Sequence, residues 1–513
     1  MKPVLTAAET RALDVETEAR GTSVETLMER AGHAVARTAA SLAGATYGSR
    51  AVVVCGKGNN GGDGLVAARW LTRWGMGVDV FLLAEPGSVG EPASTNLHAL
   101  TAMGVPVGPY SPGRVERALS RADVAVDAIF GIGFRGRAEG RYLDAIRVLN
   151  GTDRMIAVVA VDIPSGVEGD TGAVRGPAVM ADVTVTFGAP KVGVVLFPGA
   201  AHAGVVDVAD IGFPGDLLPG DLELVEDQDA RDWLGREERF ETDKRAAGVV
   251  LVLAGSRTMT GAPVLVAEGA YRAGAGLVTV AVPEGTLPVV QAGLREATFL
   301  PLAEGATGSV AEDAWTTLAS RIPSFDAVAL GPGLSTDPGT QALVRRLVRE
   351  SPRPQVVDAD AINAFAGRAG ELSHRGAATV LTPHVREFGR LFGVPAEDVV
   401  EDRVGLARKG AAETGCVLLL KGSRTVVAPP DGPTRITATG SPVLATGGTG
   451  DVLTGAIAAL LARGLPPLDA AAVGAHVHGI AGRIAGERTG QGTIAGDVAR
   501  ALPEAIRRLR ETP

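Results

Sequence analysis

Asp451 closes the run Thr446-Gly447-Gly448-Thr449-Gly450-Asp451, directly before a strongly apolar helical pattern from Val452 to Ala462. A glycine turn feeding a helix N-terminus aims backbone N–H groups at an anion, and it can hold the charge that develops on a transferring phosphoryl group. An aspartate there can take the proton from a hydroxyl as it is phosphorylated. Read alone, Asp451 could equally be an acid that only complements the helix dipole. Lys421-Gly422-Ser423-Arg424-Thr425 ends the apolar run Val417 to Leu420 and could flank a nucleotide phosphate, which favours a kinase-like nucleotide site. No Gly-x-x-x-x-Gly-Lys-Ser/Thr loop occurs, so the site is not a P-loop. His384, after Thr382-Pro383, can bind substrate or hydrogen-bond its own turn. Glu387 can hold Mg²⁺ through water or lie on a solvated face. His476 and His478 sit at i, i+2 in an apolar helix, on different faces, which argues against a shared metal.

The first half carries a different constellation. The apolar run Val52-Val53-Val54-Cys55 leads into Gly56-Lys57-Gly58-Asn59-Asn60-Gly61-Gly62-Asp63-Gly64, and a helical pattern follows from Leu65 to Trp74. Strand, glycine turn and helix form an anion-binding arrangement. Glycine suits backbone that must approach a ligand or take φ > 0. A plain strand-to-helix turn needs no such density of Gly, Asn and Asp. Further polar residues follow other apolar runs: Asp127 within Val124 to Phe130, and Asp162 with Ser165 after Ile156 to Val161. Any one of them could be a turn or cap residue. Their recurrence after three strands points to a ligand edge, because open parallel sheets bind at strand C-terminal ends.

Strand-like runs alternate with helical segments in both halves, which predicts α/β architecture with mostly parallel sheets and helices on both faces. Thr6-Ala7-Ala8-Glu9 has the form of a capping box opening a helix through about Glu18. The polar stretch Asp221 to Glu241 breaks the pattern and places a boundary near residue 230, with domains over 1–225 and 235–513. The halves show no obvious repeat, so two separate three-layer folds are expected.

With 49 Lys and Arg against 58 Asp and Glu, the formal charge is −9, and only 4% of residues are aromatic. That balance disfavours nucleic acid as a partner. Cys55 and Cys416 both adjoin apolar runs and read as buried small hydrophobes. No apolar run approaches the roughly 18 residues of a membrane span. A cytoplasmic, homo-oligomeric enzyme without membrane contact is expected.

At these motifs the chain resembles the bifunctional NAD(P)H-hydrate repair family, an epimerase domain fused to an ADP/ATP-dependent dehydratase domain. In the first half the resemblance rests on Leu27-Met28-Glu29-Arg30-Ala31-Gly32, Gly58 to Gly64, Asp127 with Gly131-Ile132-Gly133, and Val161 to Gly166. In the second it rests on Gly331-Pro332-Gly333-Leu334, Asp358 to Ala361, Thr382-Pro383-His384, Lys421-Gly422 and Gly447 to Leu453. Asp243-Lys244-Arg245 and Val385-Arg386 depart from the family pattern. The resemblance implies a Rossmann-like first domain and a ribokinase-like second. It implies potassium at Asn60, Asp127 and Ser165. It implies hydrated NADH or NADPH at Asn59, Asn60, Gly61, Gly62, Asp63, at Gly131, Ile132, Gly133, Phe134, Arg135, Gly136, Arg137, and at Asp162, the epimerase acid/base. In the second half it implies the hydrate at Ala262, Gly333, His384 and Asp451. ADP or ATP with Mg²⁺ is implied at Lys421, Gly422, Ser423, Arg424, Thr425 and Gly450. Two rival readings are a vitamin or sugar kinase with a regulatory first half, and a first half that is a degenerate scaffold for protein or RNA.

Overall fold

In the computed structural model, residues 1–151, 156–235 and 243–511 are described. They form two compact units, one of Pro3–Gly220 and one of Met1–Lys2 with the chain from Asp221 onward.

The first unit is built on seven strands in the order Val107–Pro109, Gly77–Leu82, Arg50–Cys55, Val124–Ala128, Ala157–Val161, Val183–Phe187 and Val205–Ala209. Every neighbouring pair is parallel. A parallel sheet must be covered on both faces, and the strands alternate accordingly. Val53, Cys55, Val126 and Val159 share a core with Leu27 and Val35 of helix Val24–Leu42 and with Leu65 and Leu71 of helix Asn59–Arg73. Val52, Val54, Ala125 and Val158 pack with Ile146 and Leu149 of helix Gly140–Leu149 on the other face. Strand order reverses between Arg50–Cys55 and Val124–Ala128. Such a switch point opens a crevice at the strand C-termini. The capping box at Thr6 is present: Thr6 Oγ1 accepts from the Glu9 N–H at 3.2 Å, and Glu9 accepts from the Thr6 N–H at 2.7 Å. It starts the helix Ala7–Ala19.

The second unit's sheet runs Lys2–Pro3, Leu222–Val225, Thr434–Thr437, Thr425–Ala428, Val417–Leu420, Thr379–Leu381, Gln355–Val357, Ala327–Leu330, Val249–Leu253, Leu277–Pro283, Thr298–Leu302. From Leu222–Val225 onward it is parallel except where Thr425–Ala428 pairs antiparallel with both neighbours. Val250, Val252, Ala329 and Val380 pack under the helices Gly261–Arg272 and Thr449–Ala462, while Leu251, Leu253, Val328 and Leu381 face Leu343 and Leu347 of Pro338–Glu350. This is the expected three-layer α/β arrangement.

The boundary shifts from the sequence expectation. Leu222–Val225 is not the end of the first domain, since it pairs in parallel with Thr434–Thr437. Helix Asp227–Leu234 is not a linker, since Ala230 and Leu234 are buried in the second unit's core. The polar composition concealed a short strand and a short helix with a narrow apolar face. Residues 236–241 of the expected linker lie outside the described residues.

Candidate active sites

The first unit encloses a cavity of about 680 Å³. Asn59, Asn60, Asp63, Gly131, Ile132, Gly133, Phe134, Arg135 and Asp162 all line it. Gly61, Gly62, Gly136 and Arg137 do not stand among its lining residues. A Cβ on Gly61 would lie 2.1 Å from the Gly56 carbonyl oxygen, and one on Gly64 would lie 2.4 Å from Ala128 Cβ. None of Gly56, Gly58, Gly61, Gly62 and Gly64 has a positive φ. Much of the glycine density therefore lets the helix close onto the strand, and the left-handed conformation expected of such a loop is absent. Gly136 does take φ +81, with its N–H donating to Glu168 at 2.9 Å. Arg135 pairs with Asp170.

Asp162 follows strand Ala157–Val161 with φ +63, a conformation costing of order 1–3 kcal/mol in a non-glycine residue. Its carboxylate is fixed by side chains from the adjacent strand end. Lys191 Nζ lies 2.8 Å from Asp162 Oδ1, and Thr186 Oγ1 donates to the same oxygen at 3.0 Å. Lys191 is fully buried and also donates to Thr186 Oγ1 at 3.1 Å and to the Phe187 carbonyl at 2.7 Å. Two further carboxyls reach the same cavity. Burial raises Asp14 to about 6, opposed by Lys191 and reinforced by Asp162. Asp63 is raised well above the carboxylate range by burial and then by Asp162 and Asp14. Sequence reasoning missed Lys191, Thr186 and Asp14. Lys191 did carry a signal, since it follows strand Val183–Phe187 at the same edge of the sheet.

Asp127, Ser165 and Asn60 come together beneath this cavity. Ser165 donates its hydroxyl to Asp127 Oδ1 at 2.6 Å and its N–H to Oδ2 at 2.8 Å, and Ile129 N–H adds a 3.2 Å bond. Asn60 Nδ2 donates to the Phe130 carbonyl at 2.9 Å, and Phe130 N–H donates to Ser165 Oγ at 2.9 Å. Asp127 is fully buried, and burial lifts it to about 6 against the hydrogen bonds from Ser165. Among the described residues no lysine or arginine pairs with it. A fully buried carboxylate without a cationic side chain, against the Ser165 hydroxyl and with the Asn60 amide and Phe130 carbonyl linked to that hydroxyl, is chemically compatible with an oxygen-liganded cation.

The second unit holds a cavity of about 510 Å³, lined by His384, Lys421, Gly422, Ser423, Thr425 and Gly450 of the expected set, with Thr446, Thr449 and His478. Arg424 instead donates to the Ala438 carbonyl at 3.0 Å. Ala262 and Gly333 adjoin each other: a Cβ on Gly333 would lie 3.1 Å from Ala262 Cβ. Neither stands among the residues lining this cavity, and nor does Asp451.

Asp451 lies in the first turn of helix Thr449–Ala462, entered through Gly448 at φ +87. Lys421 Nζ sits just under that start, since a Cβ on Gly450 would meet it at 3.2 Å. Asp358 holds Lys421 at 2.6 Å and accepts from Thr454 Oγ1 at 2.7 Å. Burial raises Asp451 to about 7; Asp358 pushes it the same way and Lys421 opposes. Its carboxyl thus changes charge in the range where a general base is useful. His384 does bond its own turn: Nδ1 accepts from Arg386 N–H at 3.0 Å and Glu387 N–H at 3.2 Å, and Glu387 accepts from the His384 N–H at 2.9 Å. A neutral ring with Nδ1 accepting carries its proton on Nε2. Burial and Lys421 hold the imidazole below its ordinary range. Glu387 is buried, so it does not lie on a solvated face. His476 Nε2 pairs with Asp227 at 2.7 Å while His478 lines the cavity, consistent with separate faces.

Two family models match the chain: NAD(P)H-hydrate dehydratase over residues 250–504 and YjeF-related protein N-terminus over residues 24–193. The bifunctional NAD(P)H-hydrate repair enzyme Nnr of Moorella thermoacetica is 44% identical over 94% of this chain and 93% of its own length. That of Thermofilum pendens is 42% identical over 99% of this chain and 97% of its own. The crystal structure of the ADP/ATP-dependent NAD(P)H-hydrate dehydratase from Bacillus subtilis, co-crystallised with ATP/Mg²⁺, is 31% identical with a TM-score of 0.50, covering 57% of this chain and all of that one.

Proposed function

The chain belongs to the family of bifunctional NAD(P)H-hydrate repair enzymes, and from that premise we propose how its two cavities divide the work. The enzyme has an epimerase domain and an ADP/ATP-dependent dehydratase domain. The first cavity epimerises the hydrates of NADH and NADPH. These carry a hydroxyl on the ring carbon next to nitrogen. The nitrogen lone pair expels that group, and water returns to either face of the planar carbon. The chemistry needs a positioned acid/base, and Asp162, fixed by Lys191 and Thr186 at the cavity wall, supplies it.

Potassium is the cation we propose at Asn60, Asp127 and Ser165, supported by the fully buried Asp127 carboxylate, which has no lysine or arginine partner among the described residues, and by the Ser165 hydroxyl against it. A cation held there would offset the charge of Asp127. In the second unit, ADP or ATP binds across Lys421, Gly422, Ser423, Thr425 and Gly450, and the S hydrate meets Asp451. Mg²⁺ fits a site of this kind, where few carboxylates combine with nucleotide phosphates. Bound with the nucleotide, it would offset the charge of those phosphates. Lys421, held by Asp358 under the helix start, faces the transferred group, and Asp451 takes the hydroxyl proton. Phosphate is a better leaving group than hydroxide, so elimination restores NAD(P)H and releases phosphate with AMP or ADP.

The carrying observation is Asp451 at a helix N-terminus beside Lys421, raised by burial to about 7. A sugar or vitamin kinase with the same fold would leave a stable phosphorylated product. Incubation with hydrated NADH and nucleotide separates the two by whether free phosphate and reduced nicotinamide appear. We also propose a cytoplasmic, homo-oligomeric enzyme; sedimentation of the purified protein tests the second.

A further inference from the structure

Three carboxyls and a buried lysine are among the side chains lining the first cavity: Asp14, Asp63, Asp162 and Lys191. Their anchoring differs. Asp162 shares one carboxylate oxygen with Lys191 and Thr186. Asp14 reaches the cavity from another element, the helix Ala7–Ala19, and among the described residues its carboxyl has no ion pair or hydrogen bond. It is half-buried, so it can meet a ligand without first breaking an internal contact.

Epimerisation moves oxygen from one face of a ring carbon to the other. A proton must be delivered to the departing hydroxyl on one face and removed from the attacking water on the opposite face. One carboxylate fixed on a single wall serves one of those faces. We propose, resting on the epimerase reading of this cavity, that Asp14 is a second catalytic acid/base, acting on the ring face opposite Asp162. In one direction Asp14 gives its proton to the hydroxyl, the C–O bond breaks with both electrons leaving on oxygen as water, and the ring nitrogen lone pair forms a C=N bond. Water then adds from the other face, the C=N pair returns to nitrogen, and the proton of the attacking water passes to Asp162. The reverse direction runs with the two roles exchanged. The pair holds one proton in either form, and no oxidant or co-reactant is needed.

Burial raises Asp14 to about 6, with Lys191 opposing and Asp162 reinforcing, so this carboxyl can give or take a proton near neutral pH, while Lys191 and Thr186 hold Asp162 in place. The remaining charged groups on the cavity wall are Arg11, Lys57 and Arg135, and burial raises Asp63 as it does Asp14.

The test uses the full chain and each hydrate epimer separately, without nucleotide, following the epimer ratio by chromatography. Asp14→Asn is expected to lower kcat by about 10²-fold or more in both directions with KM within about threefold. It should also abolish a limb of the wild-type kcat profile near pH 6. Asp14→Glu is expected to recover at least about tenfold over Asp14→Asn, because it restores an acid at that wall. Asp14→Ser is a second variant in case the amide disturbs the helix, and dehydration of the competent epimer should stay at the wild-type rate in all three. Wild-type kcat in Asp14→Asn and Asp14→Ser would overturn the proposal, as would a rise in KM alone or an unchanged pH limb. A wild-type protein that does not interconvert the epimers would instead overturn the epimerase reading itself.

Discussion

Replacing Asp451 by Asn should separate nucleotide binding from dehydration. The substitution keeps the shape of the first helical turn and the Gly450 backbone but cannot accept a proton. Phosphoryl transfer is mostly positioning and charge stabilisation, so the nucleotide sites at Lys421 to Thr425 should bind within a few-fold of normal. Dehydration should fall by roughly 10²–10⁴-fold, the usual worth of a positioned base. The raised carboxyl adds a second, opposite readout. A shift from 3.8 to about 7 corresponds to at most about 4 kcal/mol favouring the protonated folded state. The folded protein binds this proton more tightly than the unfolded chain, so stability is highest below the unfolded value and declines as pH rises through about 7. At pH 8 the variant, which carries no charge there, should unfold a few degrees higher than wild type; at pH 5 the difference should shrink. The same ionisation predicts that wild-type dehydration falls about tenfold per pH unit below 7, while the variant's residual rate is flat there. Absorbance of the restored nicotinamide gives the rate, calorimetry gives nucleotide affinity, and thermal unfolding at two pH values gives the stability. A variant clearing hydrate at near wild-type rate refutes the base assignment. Loss of nucleotide affinity would make Asp451 a structural residue instead.

Asp162→Asn should slow epimerisation by roughly 10²–10⁴-fold and leave dehydration of the competent epimer unchanged, measured as epimer ratio and absorbance in parallel. Unaltered epimerisation would remove Asp162 from the mechanism. Asp127→Ala should lose the difference between potassium and tetramethylammonium buffers in epimerase assays; a retained difference places the cation elsewhere. A fragment starting at Asp221 should be more stable than one starting at Gly235. The shorter one exposes partners of Leu222, Val225 and Leu234, each 4% exposed or less, at roughly 1.5–3 kcal/mol per side chain. Equal denaturation midpoints would show that this strand and helix add nothing to the unit.

The fold class was legible because buried parallel strands announce themselves as apolar runs, as at Val52 to Cys55 and Val249 to Leu253. Asn60, Asp127 and Asp162 stood out because polar residues interrupt or end such runs, and Asp451 because a glycine turn precedes it at a helix start. Two kinds of residue escaped. Lys191 and Asp14 reach a cavity assembled from distant segments; the place of Lys191 after strand Val183–Phe187 was a signal, but nothing in the sequence shows that this lysine will be fully buried. The glycines misled in part, because a Gly excluded by a neighbouring carbonyl, such as Gly61, looks in sequence like one that approaches a ligand. The boundary was misplaced for a related reason: Leu222–Val225 is a short strand whose partner Thr434–Thr437 lies more than two hundred residues away.

The most direct test follows hydrated NADH, as a mixture of both epimers, with the purified full chain. Without nucleotide the epimers should equilibrate and no reduced nicotinamide should form. On adding ADP or ATP with Mg²⁺ both epimers should disappear, with one phosphate released for each NADH regained. An accumulating phosphorylated product, or one epimer left untouched, would contradict two-site repair.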